Sequence, residues 1–364
     1  MKTLKNMSKT SKTNFATYGM VIVVFAVLQL LGSDLIQRGG VLSPTLKGQL
    51  VPICAYVVMA LSLNLTVGVL GELSLGHAGF MSVGAFSGTV AATALQNVIP
   101  SPGARLLAAV VIGAVFATVA GILIGIPVLR LGGDYLAIVT LAFGQIIKSL
   151  IENLYVGMDV NGLHFDFLEN KIALAQGGKM IVNGPMGIPS IQKLSSFTAG
   201  FLLIMAALFV IFNLTNSRSG RAIMALRDNR IAAESVGINV TKYKLMAFVT
   251  SAALAGAAGT LFALGQNTLV ASKFDFNTSI LVLVFVVLGG LGRMWGSIIA
   301  AAALTILPEA LRQFADYRML TYAIMLILVM LCTNNPTLKS FFSSLAAKVK
   351  GSAKKGKAKG GEGK

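Results

Sequence analysis

The sequence predicts an all-α polytopic membrane protein with about eight to ten transmembrane helices. Hydrophobic residues make up 55% of the 364 residues, charged residues make up only 12%, and the mean hydropathy is +0.79. A soluble chain of this length needs more charge to cover its surface, whereas a bilayer removes that need and requires apolar runs of about 20 residues. Ten candidate runs of this kind are present.

The apolar runs differ in how strongly they predict a span. Seven contain no Asp, Glu, Lys or Arg, namely 18–33, 50–71, 73–99, 106–129, 195–215, 245–272 and 319–338. Three are weaker, because run 135–155 contains Lys148 and Glu152, and because Arg293 separates run 276–292 from run 294–308. Close helix packing is favoured by three GxxxG spacings, which are Gly84 with Gly88, Gly121 with Gly125, and Gly292 with Gly296.

Basic residues predict the orientation of these spans. They form three clusters, in the N-terminal tail 1–16, in the loop 217–242 with Lys244 beside it, and in the Lys- and Gly-rich tail 339–364. The positive-inside rule places such clusters in the cytoplasm, and six spans followed by four satisfy that parity. We therefore expect a transmembrane domain over 17–338, with both termini cytoplasmic and the first helix retained rather than cleaved as a signal.

The net charge of +17 does not indicate a nucleic-acid partner, because it is concentrated beside membrane spans. The low-complexity tail 339–364 is expected to be disordered. Two interpretations of its lysines stay open: attraction to anionic membrane lipid, and simple solubility.

The longest connection, about 157–194, is expected on the outer side as an ordered cap. Its sequence NGPMGIP, residues 183–189, predicts successive turns rather than a helix. His164 lies in this loop without ligand-spaced partners in the sequence, so no metal site is expected. Cys54 and Cys332 lie in apolar runs and indicate packing rather than a disulfide.

Motifs that carry chemistry are absent from the sequence. It contains no GxxxxGK[ST] phosphate loop, no HExxH, no CxxC and no GxSxG. Two histidines also cannot supply the axial ligands of a di-haem subunit. We therefore expect a protein that is not an enzyme.

The loop 217–242, called the basic loop from here on, carries signals for a short helix. Asp228 or Asn229 is placed to cap it, Arg230 to pair with Glu234, and Gly237 to end it in the left-handed conformation. One interpretation is an ordinary basic connector. The other is a helix that fits into a groove on a soluble partner.

Two stretches resemble a known family. These are LSLNLTVGVLGELSLGHAGFMSVGAF (61–86) and GRAIMALRDNRIAAESVGINVTKYKLMAFVTSAALAGAAGTLFA (220–263). Both are similar to the membrane permease of bacterial branched-chain amino acid ABC transporters. The resemblance extends through NGPMGIP and VLGGLGRMWGSIIAAA (287–302), and covers about residues 45–335.

This resemblance implies an ABC importer permease fold in the bacterial plasma (inner) membrane. It implies a path for uptake of leucine, isoleucine and valine, although relatives for urea, amides or other amino acids share the signatures. The implied partners are a second homologous permease subunit, two cytoplasmic ATPase subunits and an extracytoplasmic solute-binding protein. ATP and Mg would be bound by the ATPases, and no cofactor by this chain.

The resemblance also implies that the basic loop contains a coupling helix that docks on an ATPase. Ala232, Ala233 and Gly237 match the AA-xxx-G part of the importer motif, whereas Ile231 stands where many importers have Glu. The coupling residues expected from this match are Arg227, Asp228, Arg230, Ala232, Ala233, Glu234 and Gly237.

The glycine-rich motif at 67–88 predicts a break in the helix near 71–79. Glycine destabilises a helix by about 1 kcal/mol relative to Ala, and non-helical backbone at membrane depth persists only where it lines a cavity or is buried in protein. One hypothesis is a translocation path lined by backbone and side chains of Gly71, Glu72, Ser74, Gly76, His77 and Gly79. In that hypothesis a bulky residue at position 76 would fill the path.

The alternative is an interfacial turn in which Glu72 and His77 extend to the surface. The pentapeptides VLGEL (69–73) and VLGGL (287–291) also indicate a diverged internal repeat.

Two other classes of function remain as alternatives. An ion-coupled secondary transporter usually keeps charged residues inside several spans, and here only Glu72, Lys148 and Glu152 are candidates. A redox membrane subunit needs more cofactor ligands than two histidines.

Overall fold

The structure is a computed structural model that describes residues 9–32, 44–129, 134–159, 162–168, 172, 178–311, 320, 323, 324 and 327. The chain divides into two compact units, Met1–Ile306 and Leu307–Lys364. The regions discussed below lie in the first unit. Of the second unit, the described residues are 307–311 and four isolated positions.

Helices form most of the described chain. The α-helices are α1 (Lys9–Gly32), α2 (Pro44–Asn64), α3 (His77–Ala94), α4 (Pro102–Val128), α5 (Asp134–Glu152), α6 (Phe197–Asn216), α7 (Arg218–Asp228), α8 (Arg230–Ser235), α9 (Val240–Ala263), α10 (Phe276–Gly289) and α11 (Met294–Ala310). A π-helical turn, Leu65–Leu70, continues α2.

Among the described residues, five stretches are long and apolar enough to cross a membrane, namely Gly48–Leu70, Pro102–Val128, Tyr135–Glu152, Phe197–Asn216 and Val240–Ala263. Three shorter apolar helices cover Thr17–Val27, Phe276–Gly289 and Met294–Glu309. Together with the buried helix α3, they agree with the predicted range of spans. The predicted fold class, an all-α polytopic membrane protein, is confirmed.

Some helix bounds differ from the apolar runs. α1 begins at Lys9, within the basic tail, rather than at position 18. The run 73–99 yields a helix only over His77–Ala94, because the preceding residues are not helical. The predicted span 319–338, apart from four positions, and the tail 339–364 lie outside the described residues.

The most closely packed part of the core is formed by α3, α4 and α9. A Cβ at Gly84 of α3 would overlap the carbonyl of Gly256 in α9, and one at Gly88 would overlap the Thr260 side chain. The Thr260 hydroxyl donates to the Gly84 carbonyl at 2.8 Å. The GxxxG spacing therefore serves close helix packing, as predicted.

The segment 157–194 contains a small sheet that the sequence analysis did not predict. β1 (Leu154–Asp159) lies between β2 (Gly162–Phe167) and β3 (Lys179–Asn183), and both pairings are antiparallel. Alternation of apolar and polar residues in GLHFDF was the available signal.

The NGPMGIP sequence does form turns, as predicted, with a 3₁₀ turn over Gly184–Met186. An isolated β-bridge joins Ile188 to Leu269. His164 is not without a carboxylate neighbour, because its Nε2 lies 3.0 Å from Asp159 Oδ1. The partner comes from β1 and is not at ligand spacing in the sequence.

Candidate functional site

A discontinuity between α2 and α3 lies at the glycine-rich motif. The π-helical turn Leu65–Leu70 ends at Gly71, which has φ +81°, a left-handed conformation that favours glycine. The next helix begins only at His77. Residues 71–76 are therefore non-helical, and the predicted interruption is confirmed. The π-helical turn together with this non-helical stretch, residues 65–76, is called the helix break from here on.

Backbone groups at the helix break bond to side chains from other helices. Leu75 N donates to Thr140 Oγ1 of α5 at 3.1 Å, and Ala78 N donates to Ser279 Oγ of α10 at 3.1 Å. Such partners satisfy the amides that the helix leaves unpaired.

His77 is buried beside hydroxyl groups from two helices, α2 and α9. Its Nε2 lies 2.8 Å from Ser62 Oγ and 3.3 Å from Ser251 Oγ. The Ser62 hydroxyl donates to Met59 O and the Ser251 hydroxyl donates to Ser62 O, so both have already used their only proton. His77 Nε2 must therefore carry hydrogen and donate, which leaves Nδ1 as an acceptor.

Two polar atoms at this site have no hydrogen-bond partner. His77 Nδ1 and Ser74 Oγ are buried and unpaired within the described part of the chain. A buried unpaired polar atom costs about 1–3 kcal/mol, so these two atoms are candidate contacts for a polar solute. At 1% exposure His77 does not extend to the surface, which rules out the interfacial-turn interpretation for this residue.

The glycines of the motif contact protein rather than open space. A Cβ at Gly76 would overlap the carbonyl O of Thr140, and one at Gly79 would lie 3.0 Å from Gly144 Cα. α3 and α5 therefore meet backbone to backbone. We expected a bulky residue at position 76 to fill an open path. That expectation was wrong, because Gly76 contacts the backbone of α5, and a larger residue there would displace α5.

The basic loop has the predicted local structure. Asn229 Oδ1 accepts from Ala232 N at 3.1 Å and caps α8, and Arg230 pairs with Glu234 at 3.5 Å. Gly237 has φ +84° and ends the turn after α8. These local features are confirmed; a coupling role stays a prediction.

The faces of α8 differ from the predicted arrangement. Ala233 is 4% exposed and packs in a small cluster with Leu226 and Val240, so it cannot contact a partner without local unfolding. Ile231 and Val236 are 77% and 75% exposed. The sequence analysis assigned groove contact to both alanines, but only Ala232 is exposed.

The basic loop contacts the helix break directly. Arg227 Nη1 donates to Gly68 O at 2.9 Å, and a Cβ at Gly71 would overlap Arg227 Cγ. Lys244, in the second turn of α9, forms an ion pair with Glu72. The two motifs that the sequence analysis treated separately are therefore in contact.

A second glycine turn packs against the π-helical end of α2. Asn64 Oδ1 accepts from Gly292 N at 2.8 Å, and Asn64 Nδ2 donates to Ser297 Oγ at 2.8 Å. Gly71, the third residue of VLGEL, and Gly290, the fourth residue of VLGGL, both have positive φ after a helix. The two glycines stand one position apart in the pentapeptides, and the repeat stays a prediction.

Several residues of the site were missed from sequence. Ser62, Asn64, Thr140, Ser251 and Lys244 all contact the motif or its helices. The available signal was a polar side chain inside an apolar run, which usually has a buried partner.

Membrane-crossing helices, one of them interrupted inside the protein, define a polytopic helical membrane protein. The family model for "Branched-chain amino acid transport system / permease component" matches residues 46–333. The chain therefore belongs to this permease family.

Two similar relatives are named as high-affinity branched-chain amino acid transport system permease protein LivM. The Escherichia coli (strain K12) protein is 36% identical over 322 residues, which cover 86% of this chain and 73% of that protein. The Salmonella typhimurium protein is 37% identical over 286 residues, which cover 76% of this chain and 66% of that protein.

A more distant relative is permease protein LivH of the same Escherichia coli strain. It is 25% identical over 292 residues, covering 76% of this chain and 88% of that protein. No solved structure matches the chain.

Proposed function

We propose that this chain is the permease subunit of an ATP-binding cassette importer and forms the transmembrane path for leucine, isoleucine and valine. The observation that carries the proposal is that Arg227 of the ordered basic loop and the adjoining Lys244 both contact the helix break directly. An importer driven by separate ATPases needs a docking surface connected to its path. The sequence contains no nucleotide-binding motif that could replace such subunits.

α8 supplies the docking surface in this proposal. Ile231 and Val236 are exposed apolar side chains, with the small Ala232 between them, which suits a helix that fits into a groove. One of two cytoplasmic ATPase subunits would cover this surface, and both would bind ATP and Mg.

Further partners follow from the relatives. LivM and LivH of Escherichia coli are both named as permease proteins of a high-affinity branched-chain amino acid system, which supports a second, related permease subunit beside this chain. An extracytoplasmic binding protein would release solute near the sheet-containing segment 157–194.

The path is proposed to pass the polar groups at the helix break. Within the described part of the chain, Ser74 Oγ and His77 Nδ1 are buried without hydrogen-bond partners, whereas Gly76 and Gly79 hold α3 against α5. Their roles differ accordingly: the serine and histidine contact solute, and the glycines allow the close approach.

A bacterial plasma membrane location with cytoplasmic termini is part of this proposal. It is tested by membrane-impermeant thiol labelling of single-cysteine variants in a background without Cys54 and Cys332. Ser190→Cys, exposed in the segment 157–194, should react from outside, and Ser235→Cys, exposed in the basic loop, should not. The reverse pattern would contradict the orientation.

An ion-coupled mechanism is the weaker alternative. Its three candidate charges are already paired in the structure: Glu72 with Lys244, and Lys148 with Glu152 at 3.7 Å.

Other solutes are also alternatives, since a fructose import permease of Bifidobacterium longum is 29% identical over 161 residues, 42% of this chain and 44% of that protein.

Uptake into proteoliposomes tests the proposal. The complex is reconstituted with its ATPases, second permease and binding protein, and uptake of labelled L-leucine is followed with ATP inside or with a proton or sodium gradient alone. Uptake that requires ATP and persists with ionophores supports the proposal. Uptake driven by the gradient alone would contradict it.

A further inference from the structure

The geometry points to Arg227 as a positioning residue: together with the Lys244–Glu72 pair, it transmits movement of the basic loop to the helix break. We infer this from two contacts that flank α8 and end on the same interrupted segment. The inference rests on the proposed function, because it requires that ATPase subunits move the loop.

The first contact is a charge-assisted hydrogen bond to the main chain. Arg227 Nη1 donates to the carbonyl O of Gly68, in the π-helical turn that ends at Gly71, at 2.9 Å. A cation is favourable at a helix C-terminus, where carbonyl groups lack partners. Arg227 therefore binds the end of α2 itself, so a shift of α7 changes the position of that helix end.

The arginine stem adds a steric contact. A Cβ at Gly71 would overlap Arg227 Cγ, so the absence of a side chain at position 71 makes room for the arginine. Gly71 thus serves two purposes, since it also adopts φ +81°. The arginine is held between the Gly68 carbonyl and the Gly71 backbone.

The other side of the guanidinium is bound by the loop. Nε and Nη2 of Arg227 donate to Asp228 Oδ1 at 3.2 and 3.0 Å. Asp228 is the last residue of α7 and precedes Asn229, which caps α8. A movement of the turn between α7 and α8 therefore moves the Arg227 side chain. A force on α8 reaches Arg227 through only Asn229 and Asp228.

The second contact lies on the other side of α8. Lys244 and Glu72 have side-chain exposures of 5% and 12%, so the ion pair is largely removed from solvent. Breaking a buried pair leaves an uncompensated charge, and this makes the contact costly to lose. Glu72 lies in the helix break, so this segment is bound by Arg227 of the basic loop, before α8, and by Lys244 of α9, just beyond the loop.

Other arginines of the basic loop do not make this contact in the described structure. Arg221 donates to Asn216 O, at the end of α6, at 3.4 Å, and Arg230 pairs with Glu234 on α8. Arg221 is thus a matched control of the same residue type on the same helix as Arg227.

The test measures leucine transported per ATP hydrolysed in the reconstituted complex. Arg227→Met keeps the stem over Gly71 and removes the guanidinium. We expect unchanged assembly and continued ATP hydrolysis, with transport per ATP reduced about tenfold, the effect expected from losing one charge-assisted hydrogen bond. Arg227→Lys should restore part of the loss, and Arg221→Gln should match wild type.

Wild-type transport per ATP in Arg227→Met would overturn the inference, and failure of that variant to assemble would reassign Arg227 to a structural role. If the unmodified complex itself shows no leucine-stimulated ATP hydrolysis, the proposed function fails and the inference fails with it. The two failures are therefore distinguishable.

A second pair of variants tests the contact without relying on one substitution. Gly71→Ala places an alanine at φ +81° in either background, so that strain is common to both, whereas the clash with Cγ occurs only with the arginine present. Transport per ATP should therefore fall severalfold more in the wild-type background than in an Arg227→Ala background. Glu72→Lys should uncouple transport, and adding Lys244→Glu should restore it. Equal losses in both backgrounds, or no restoration by charge exchange, would overturn the inference.

Discussion

Helix α3 passes through two regions with opposite properties. Its middle packs with α4 and α9 through glycine contacts in which Gly84 meets the Gly256 backbone. Its first residue, His77, directly follows the helix break, and His77 Nδ1 and Ser74 Oγ of the break are buried without a hydrogen-bond partner among the described residues. The difference indicates that the packed helices α3, α4 and α9 form a rigid scaffold. The helix break joined to it has polar groups that the described protein does not all satisfy, which suits a path that changes shape.

The largest expected effect is on the scaffold. Gly84→Leu introduces a side chain where even a Cβ overlaps the carbonyl of Gly256, and backbone cannot move aside cheaply. We expect a loss of about 3 kcal/mol or more of stability, seen as little monodisperse protein after detergent extraction. Gly103→Ala, which meets nothing within 4 Å, is the control. Normal yield of the leucine variant would mean that this packing is not rigid.

The next largest effect is expected at Asn64, the last residue of α2, which leads into the helix break. Asn64→Leu removes the partners of Gly292 N and Ser297 Oγ, which it contacts at 2.8 Å each. We expect destabilisation of about 1–3 kcal/mol, because Gly292 N loses its acceptor. Thermal unfolding followed by size-exclusion fluorescence measures it. An unchanged melting temperature would show that the second glycine turn does not support the end of α2.

A smaller effect is expected at His77, where the two nitrogen atoms have different roles. His77→Gln keeps a donor near the Nε2 position and should retain most stability, whereas His77→Asn keeps a polar group near Nδ1 and should lose about 1 kcal/mol. Leucine uptake should fall in both variants. Equal stability of the two variants would contradict the tautomer assignment.

Local features of the site could be predicted from sequence because they depend on neighbours in the chain. The glycine density at 68–79 predicted the helix break, and Asn229, Glu234 and Gly237 predicted the bounds of α8. Each of these features depends only on residues that lie within one or two helical turns of it along the chain.

Contacts between distant residues could not be predicted in this way. Arg227 and Gly68 are 159 residues apart, Lys244 and Glu72 are 172 apart, and Gly292 and Asn64 are 228 apart. Whether they meet depends on helix packing, which periodicity does not specify. For the same reason, the small size of Ala233 predicted a surface contact, although the residue packs against Leu226 and Val240.

The smallest expected effect on the fold, and the most direct test of the central claim, comes from Ile231→Lys. Ile231 is 77% exposed, so its replacement should change stability by less than about 0.5 kcal/mol. Thr241→Lys adds the same charge at an exposed position outside α8 and serves as the control.

The measurement is ATP hydrolysis by the reconstituted complex with and without leucine-loaded binding protein. The account predicts that leucine stimulates hydrolysis in wild type and in the Thr241 variant, and that Ile231→Lys loses this stimulation along with ATPase association. Full stimulation in Ile231→Lys would contradict docking through α8.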